Sequence, residues 1–431
     1  MATAKAAGQE FRSCSLTRDE RTMVRISSYP HLYFELVSVG FSLILGMGLS
    51  SAFLPILSWE LDPTGVLVGI VISAWFLARI FTELPSGFLS DRAGRRRLVI
   101  FGLALSVGGT LTCATSSTIY QLILGRALWG LGAALFFTNN TALMFDLFEP
   151  SIRGKAVGTL QGIEFIGSFI GAPIGAIVAS YLGYYSVFYA ASVMTLVSFL
   201  IAFRSKGLRQ VADRPREGHA AISVGEALKG LRNWGLLVVC SVVMSRMLVM
   251  QGLMHTIFQL YLNQILTYDI ATIGLIMSVR TAGFCAATFA SGRMADQLGI
   301  KPVIAGGLFV EGICVGLYTA TSSLAHIVII GFLEGVGGAM VSVTLIVLLS
   351  KVVTPNMRGT AVGLYRTFMD LGGILGPVIF IFVYDFIGQL IPFLASSALL
   401  VANIALVIST RERHMLETIQ TSQSVAEIAR H

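Results

Sequence analysis

The sequence predicts an all-α membrane protein, with twelve transmembrane helices arranged as two pseudo-symmetric six-helix bundles. Three observations carry this prediction. Of 431 residues, 55% are hydrophobic and only 12% charged, against about 25% charged in soluble domains. Landmarks of the first half recur 205 positions later: Gly87, Asp91 and Gly94 as Gly292, Asp296 and Gly299, and Gly130 and Gly132 as Gly335 and Gly337. Arg153, Gly154 and Gly158 recur as Arg358, Gly359 and Gly363, and Gly167 and Gly171 as Gly372 and Gly376, so the duplicated unit carries no net insertion between landmarks. Finally, Lys and Arg crowd alternate connections and leave the others bare.

Taken in order, the polar stretch 1–29 has no apolar core or cleavage site of a signal peptide and is expected to be a cytoplasmic tail. Apolar stretches follow at 30–58, 65–89, 97–117, 119–145, 155–181 and 184–204, forming a first bundle over 30–204. A polar linker, 205–232, contains Ser223-Val224-Gly225-Glu226, which fits a capping box. Leu228, Leu231 and Trp234 then follow at helical spacing, predicting a short amphipathic helix on the cytoplasmic surface. The second bundle, 233–410, has stretches at 234–263, 269–294, 301–320, 324–350, 359–386 and 388–410, before a polar tail at 411–431. Each stretch reaches the roughly 20 residues a span needs. In lipid each must satisfy its own backbone groups, so each is a helix. Asp62-Pro63, Gly183, Pro355 and Gly388 supply turn chemistry between them.

The excess of Lys and Arg on cytoplasmic loops sets orientation. With the N-terminus inside, Arg92, Arg95, Arg96, Arg97, Arg153, Lys155, Arg204, Lys206, Arg293, Lys301, Lys351 and Arg358 all lie on cytoplasmic connections or helix ends, and the six opposite loops hold no Lys or Arg. Both termini are then cytoplasmic, and the short loops suit a multi-pass protein of a prokaryotic inner membrane. The same bias explains the net charge of +7 without a nucleic-acid partner. Cys14, Cys113, Cys240, Cys285 and Cys314 have no metal or redox spacing and read as small apolar packing residues. A duplicated half in so apolar a chain points to a transporter with parallel repeats around a central site.

The most specific motif is Gly87-Phe-Leu-Ser-Asp91-Arg92-Ala-Gly94-Arg95-Arg96-Arg97. It resembles the G-x-x-x-D-R-x-G-R-R signature between helices two and three of the major facilitator superfamily. Arg126-Ala-Leu-Trp-Gly130-Leu-Gly132 looks like the superfamily's helix-four arginine motif, and Gly167-Ser-Phe-Ile-Gly171-Ala-Pro173-Ile-Gly175 like the helix-five motif of its antiporters. Leu45-Gly46 through Pro55 resembles the helix-one signature of twelve-helix drug:proton antiporters. The sugar-porter signature after helix six is absent.

The resemblance implies alternating access, with helices one, four, seven and ten lining the cavity and two, five, eight and eleven joining the bundles. It implies gating by Gly87, Asp91, Arg92, Gly94, Arg95, Arg96, Asp146, Arg153, Asp296 and Arg358, with Asp91 at the start of helix eleven and Arg95 paired to Asp146. Gly167, Gly171, Pro173 and Gly175, with Gly372, Gly376 and Pro377, would serve as hinge and helix-packing residues. Some multidrug antiporters carry an acid deep in helix one, where this chain has Gly40, Gly46 and Gly48.

Charges within spans are costly and mark function by default. Glu164 lies 11 residues past Arg153, and Asp370 lies 12 past Arg358, which puts both about 16–18 Å into the membrane. Glu164 and Glu334 are the leading proton-carrying acids, with Arg126 tuning a carboxylate and Asp370 a further candidate. Arg366 and Asp370 share a helix face at i, i+4, so a mutual pair and a functional role both stay open. Glu311 is expected to pack against a neighbour. Arg246, Arg280, Phe136, Phe258 and Glu334 are the candidate substrate-binding residues. No catalytic residues, metal ligands or cofactor are expected, and the proton gradient is the expected energy source.

The function these features imply is proton-coupled export of small amphipathic compounds by a monomer, with transport of an organic anion or metabolite as the alternative. A non-transporting membrane sensor would carry a soluble signalling domain, and a membrane-embedded transferase would need polar catalytic loops. Neither is legible in the chain, nor is a nucleotide-binding motif.

Overall fold

The computed structural model describes residues 31–63, 65–148, 150–212, 233–353 and 358–410; a few side chains within them, among them Gly87, Asp91, Arg92, Asp146, Arg153 and Arg358, lie outside the description. Among the described residues, twelve helices are long and apolar enough to cross a membrane. The first six are α1 (His31–Ser50), α2 (Val66–Ala93), α3 (Arg95–Ala114), α4 (Ile119–Leu147), α5 (Pro150–Leu182) and α6 (Tyr184–Arg204). The second six are α7 (Trp234–Ile265), α8 (Ile270–Leu298), α9 (Ile300–Leu317), α10 (Leu324–Val352), α11 (Arg358–Phe386) and α12 (Ile391–Ser409). The apolar run expected to end helix one at residue 58 divides instead, and Leu54–Leu61 forms a separate short helix. Of the linker, Lys206–Ala212 is helical, while the expected amphipathic segment lies outside the described residues.

The sequence repeat reappears as repeated backbone contacts. Gly102 of α3 abuts the carbonyl of Gly132 on α4, and 205 positions on, Gly307 abuts the carbonyl of Gly337. Gly130 abuts the Trp75 backbone, as Gly335 abuts the Arg280 backbone. Gly171 of α5 lies against Gly48 of α1, as Gly376 of α11 lies against Gly252 of α7. Glycine at these positions lets two helix backbones touch where any side chain would hold them apart. Gly167 and Gly175 extend the α5 contact along Phe41, Leu45 and Leu49 of α1, and Gly372 extends the α11 contact to Met244 and Leu248 of α7. Gly94 (φ +84°) and Gly299 (φ +91°) turn the chain between α2 and α3 and between α8 and α9, in a region that disfavours other residues.

Capping marks several helix starts. Thr118 accepts from the Gln121 amide before α4, and Asn233 accepts from Gly235 and Leu236 before α7. Asp269 accepts from Thr272 before α8. The middle of α7 departs from α-geometry. Val249–Ile257 and Tyr261–Ile265 wind as π-helix, and the Thr256 hydroxyl donates to the carbonyl of Gln251 five residues back. Large apolar side chains such as Phe101, Val193, Phe203, Phe309, Leu394 and Ile408 are exposed on α3, α6, α9 and α12, the surface a lipid tail would cover.

The two bundles meet along α2–α11 and α5–α8. Gly69 lies on the Pro377 carbonyl, the Ser73 hydroxyl donates to the Ile374 carbonyl at 2.6 Å, and Gly373 lies on the Phe76 ring. Gly274 meets Ala176 across the second seam, and Gln259 of α7 donates to the Ser51 carbonyl at 2.8 Å. All these contacts lie in the halves away from the arginine-rich turn at Gly94–Arg97. Toward that turn the described glycines have no neighbour from the facing helix. Gly292 follows Gly274 by five helical turns on the same face, and Gly162 and Gly363 precede Ala176 and Pro377 by about four. Gly162, Gly292 and Gly363 all meet open space within 4 Å. Among the described residues, the contacts between the bundles therefore gather toward the far face.

Candidate functional site

How each buried charge is compensated separates the two bundles. In the second, Arg246 on α7 donates from Nε to Glu311 Oε2 on α9 at 3.0 Å and from Nη1 to the Ser342 hydroxyl at 2.5 Å. Arg280 on α8 grips Glu334 on α10 at two points, Nε to Oε2 and Nη2 to Oε1, the latter at 3.0 Å. All four side chains are buried. Gly338 makes room for this arrangement, since a Cβ there would lie 2.8 Å from Arg246 Nη2. The two substrate-site candidates Arg246 and Arg280 thus each hold an acid of their own bundle, and Glu311 has Arg246 as its neighbour.

In the first bundle, Glu164 and Arg126 stand without an ion-pair partner among the described residues. Glu164 on α5 reaches the backbone of α1, so close that a Cβ on Gly40 would lie 2.6 Å from its Oε1. That oxygen is buried without a hydrogen-bond partner. The gap in helix one where some antiporters carry an acid is therefore filled by an acid from helix five. Arg126 on α4 lies with its Cζ 5.4 Å from the Trp129 ring centroid, and its buried Nε also lacks a partner. Among the described residues neither Glu164 nor Arg126 forms an ion pair.

A third group lies between the bundles. Arg79 on α2 holds Glu83, one turn on, at 2.8 Å, and stands 3.5 Å from Asp370 of α11. Its Cζ lies 4.7 Å from the Trp75 ring centroid. Arg366, the partner that i, i+4 spacing suggested for Asp370, forms no ion pair with it among the described residues; the facing helix brings Arg79 nearer. Arg79 and Glu83 do not stand out among the charges picked from sequence, although two opposite charges four residues apart inside an apolar stretch are the signal that finds them.

The remaining candidates fall as follows. Phe136 is fully enclosed beside Phe137, and Phe258 packs on Tyr318 and Phe393, with ring centroids 4.3 and 6.2 Å away. Neither faces open space: the bundle cores claim both rings. Met47, Trp75, Phe76, Phe137, Met247 and Ile374 instead form an apolar cluster that draws on both bundles. Arg95 donates from Nη1 to the Ala142 carbonyl at 2.6 Å, one turn before Asp146, tying the arginine-rich turn to the end of α4. The expected contacts of Asp91 and of Asp146 lie outside the described side chains. Asp296 is exposed at the end of α8. Pro173 and Pro377 lie inside α5 and α11, beside the glycines that pack on α1 and α7.

This architecture has close counterparts. A solved structure of the peptide transporter POT in complex with sulfate superposes with a TM-score of 0.72, covering 89% of this chain and 95% of that one at 14% identity, a likeness of fold. The uncharacterized MFS-type transporter MJ1560 of Methanocaldococcus jannaschii is 23% identical over 352 residues, 81% of this chain and 90% of that one. The inner membrane transport protein YajR of Escherichia coli is 40% identical over 102 residues, 23% of this chain and 22% of its own length. The quinolone resistance protein NorA of Staphylococcus aureus is 26% identical over 132 residues, 31% of this chain and 33% of its own. The match thus spans about a fifth of YajR and a third of NorA. The family model of the Major Facilitator Superfamily matches residues 36–258 and again 239–427. With two repeated six-helix bundles meeting along α2–α11 and α5–α8, this multi-pass membrane transporter belongs to the Major Facilitator Superfamily.

Proposed function

We propose that the chain is a proton-coupled transporter that exports small amphipathic compounds from the cytoplasm by alternating access. It would sit as a monomer in a prokaryotic inner membrane, with both termini and the basic face cytoplasmic. The observation that carries the reading is Glu164, a half-buried side chain whose buried Oε1 lacks a hydrogen-bond partner, set against Gly40 at mid-depth and, among the described residues, in no ion pair. A carboxyl so placed takes up a proton at low cost, because burial opposes its charged form and no cation offsets that. Glu334 is the weaker coupling acid, since Arg280 occupies both of its oxygens. One charge crossing 100 mV yields about 2.3 kcal/mol, enough to bias a two-state carrier. The cluster of Met47, Trp75, Phe76, Phe137, Met247 and Ile374 is the proposed apolar site for the substrate, because it bridges both bundles and includes adaptable methionines. The drug-efflux relatives support this class of substrate. Gating is assigned to the Gly87–Arg97 turn and its neighbours Asp146, Arg153 and Arg358, with Asp296 at the equivalent turn.

A second reading, transport of an organic anion, is favoured by Arg126, which lies by the Trp129 ring and forms no ion pair among the described residues. Transport in sealed vesicles under an imposed pH gradient, screened over cationic, neutral and anionic compounds, separates the two. Export that follows the gradient in the native chain and loses that dependence in Glu164→Gln supports the first. Transport indifferent to the gradient overturns it, and a carboxylate substrate lost in Arg126→Gln establishes the second.

A further inference from the structure

Near the far face, the α2–α11 seam is built on close approaches at glycine and serine. Ser73–Ile374, Gly69–Pro377 and Gly373–Phe76 bring the two helices into contact. Among the described side chains, Arg79 and Asp370 are the contact of this seam nearest the basic face. They stand at the point about which the bundles would rock.

The seam is not electrically symmetric. By the 205-residue offset, Arg79 corresponds to Phe284 and Asp370 to Phe165, so the positions equivalent to this ion pair in the α5–α8 pair are both phenylalanine. A contact that served packing alone would not need charge on one side of the molecule and aromatic rings on the other.

The pair itself is incomplete. Asp370 is almost fully buried, yet neither carboxyl oxygen accepts a hydrogen bond, and its nearest cation stands 3.5 Å away. Arg79 is committed to Glu83, to which Nε and Nη2 both donate, at 3.2 and 2.8 Å. The charged groups facing Asp370 are Arg79 and Glu83 from α2 and Arg366 from its own helix, while α7, which packs on the next turns of α11, contributes Met244, Met247 and Leu248 there. Arg79 thus faces two carboxylates, one from each bundle, while Arg366 acts on Asp370 from its own helix without forming an ion pair with it among the described residues. A buried carboxylate held at a distance without hydrogen bonds is costly to keep charged.

We propose that Arg79 is shared between Glu83 of its own helix and Asp370 of the opposite bundle, so that a proton arriving at Asp370 releases the α2–α11 seam and lets the bundles rock. Arg79 and Glu83 are then positioning residues of the transport cycle, and Asp370 is a proton site separate from Glu164. This deepens the proton-coupled reading and rests on it for the driving force. The step is a proton transfer only: Asp370 gains a proton from water, loses its charge, and Arg79 turns wholly to Glu83.

The test needs no substrate. Spin labels at Leu89→Cys and Val362→Cys, on exposed positions of α2 and α11 toward the basic face, report whether that end of the seam is open. The labels are placed in a background lacking the native cysteines and measured in lipid nanodiscs across mildly acidic to mildly alkaline buffer. The distance distribution is expected to shift with pH in the unaltered seam, and Asp370→Asn to hold the acidic distribution throughout. Arg79→Gln should move the midpoint to higher pH, because Asp370 loses its cation, and Glu83→Gln should move it to lower pH, because Arg79 is freed for Asp370. Opposite shifts from two neighbours on one helix are not a consequence of loosened packing. An Asp370→Asn protein that titrates like its parent, or a parent whose distances ignore pH, overturns the proposal. Glu164→Gln serves as the separating arm. If it loses gradient-driven transport while the label shift persists, the coupling acid and the seam switch are distinct.

Discussion

Arg280 and Glu334 form a two-point ion pair at positions whose counterparts, 205 residues earlier, are Trp75 and Trp129. The surrounding backbone is the same in both halves, because Gly335 touches Arg280 as Gly130 touches Trp75. One scaffold has thus been filled once with indole and once with charge.

That substitution predicts a specific stability pattern. Removing one partner of a buried pair costs about 3–5 kcal/mol, whereas replacing both with apolar side chains of similar volume is often neutral or better. Glu334→Gln is expected to melt well below the native protein in detergent, and Arg280→Met with Glu334→Leu to recover most of the loss. A single Glu334→Gln variant that melts with the native chain would show that the pair contributes nothing to stability.

Gly40→Ala probes coupling rather than folding. The atoms nearest the new methyl all belong to the Glu164 side chain, whose carboxylate is its movable end. An alanine in a helix interior gains about 0.5–1 kcal/mol over glycine. Unchanged or raised thermal stability is expected, with a displaced pH profile of transport. Vesicle uptake measured across buffers checks this, and a profile superimposable on the parent's would detach Glu164 from coupling.

Gly171→Ala is expected to behave in the opposite way. Its Cβ would lie 2.9 Å from the backbone of Gly48, which has no side chain to move aside. Overpacking of this kind costs about 1–3 kcal/mol. Gly363→Ala, on a helix that meets open space there, serves as the matched control and should melt with the native chain. Equal melting of both variants would contradict the close approach of α1 and α5.

Asp269 stands outside the spans and caps α8. Its hydrogen bond from the Thr272 hydroxyl, helped by backbone donors, holds its carboxyl below the usual carboxylate range. Because the folded value is depressed, the stabilisation is present above the unfolded pKa of about 3.9 and is lost as pH falls through the folded value. Asp269→Ala should cost about 1 kcal/mol at neutral pH and little in strong acid. Thermal melts at the two pH values check this, and a cost that survives in acid would assign the effect to something other than the cap charge.

The fold was legible because its determinants are local. Lipid forces each apolar run to be helical, and glycines at a constant offset report helix contacts before any coordinates exist. The pairing of charges was much less legible. Arg246 with Glu311 and Arg280 with Glu334 join residues 65 and 54 positions apart on different helices, and no spacing rule reaches that far. The partner of Asp370 stayed open in the sequence for the same reason. Arg366 satisfied the i, i+4 rule, but the nearer cation came from a helix almost three hundred residues earlier. Glu164 was found from depth alone, and only its approach to Gly40 distinguishes it from an acid with a partner.

The two halves of this protein share a skeleton and differ in electrical character. Away from the seam, the interior of the second neutralises Arg246 with Glu311 and Arg280 with Glu334, which makes that part a stiff frame. The interior of the first keeps a lone acid and a lone base, and so responds to whatever enters. A deep mutational scan should therefore divide along the duplication: charge changes at Arg126 and Glu164 would alter what is carried and under which conditions, while those at Arg246, Arg280, Glu311 and Glu334 would decide whether the protein accumulates in the membrane at all.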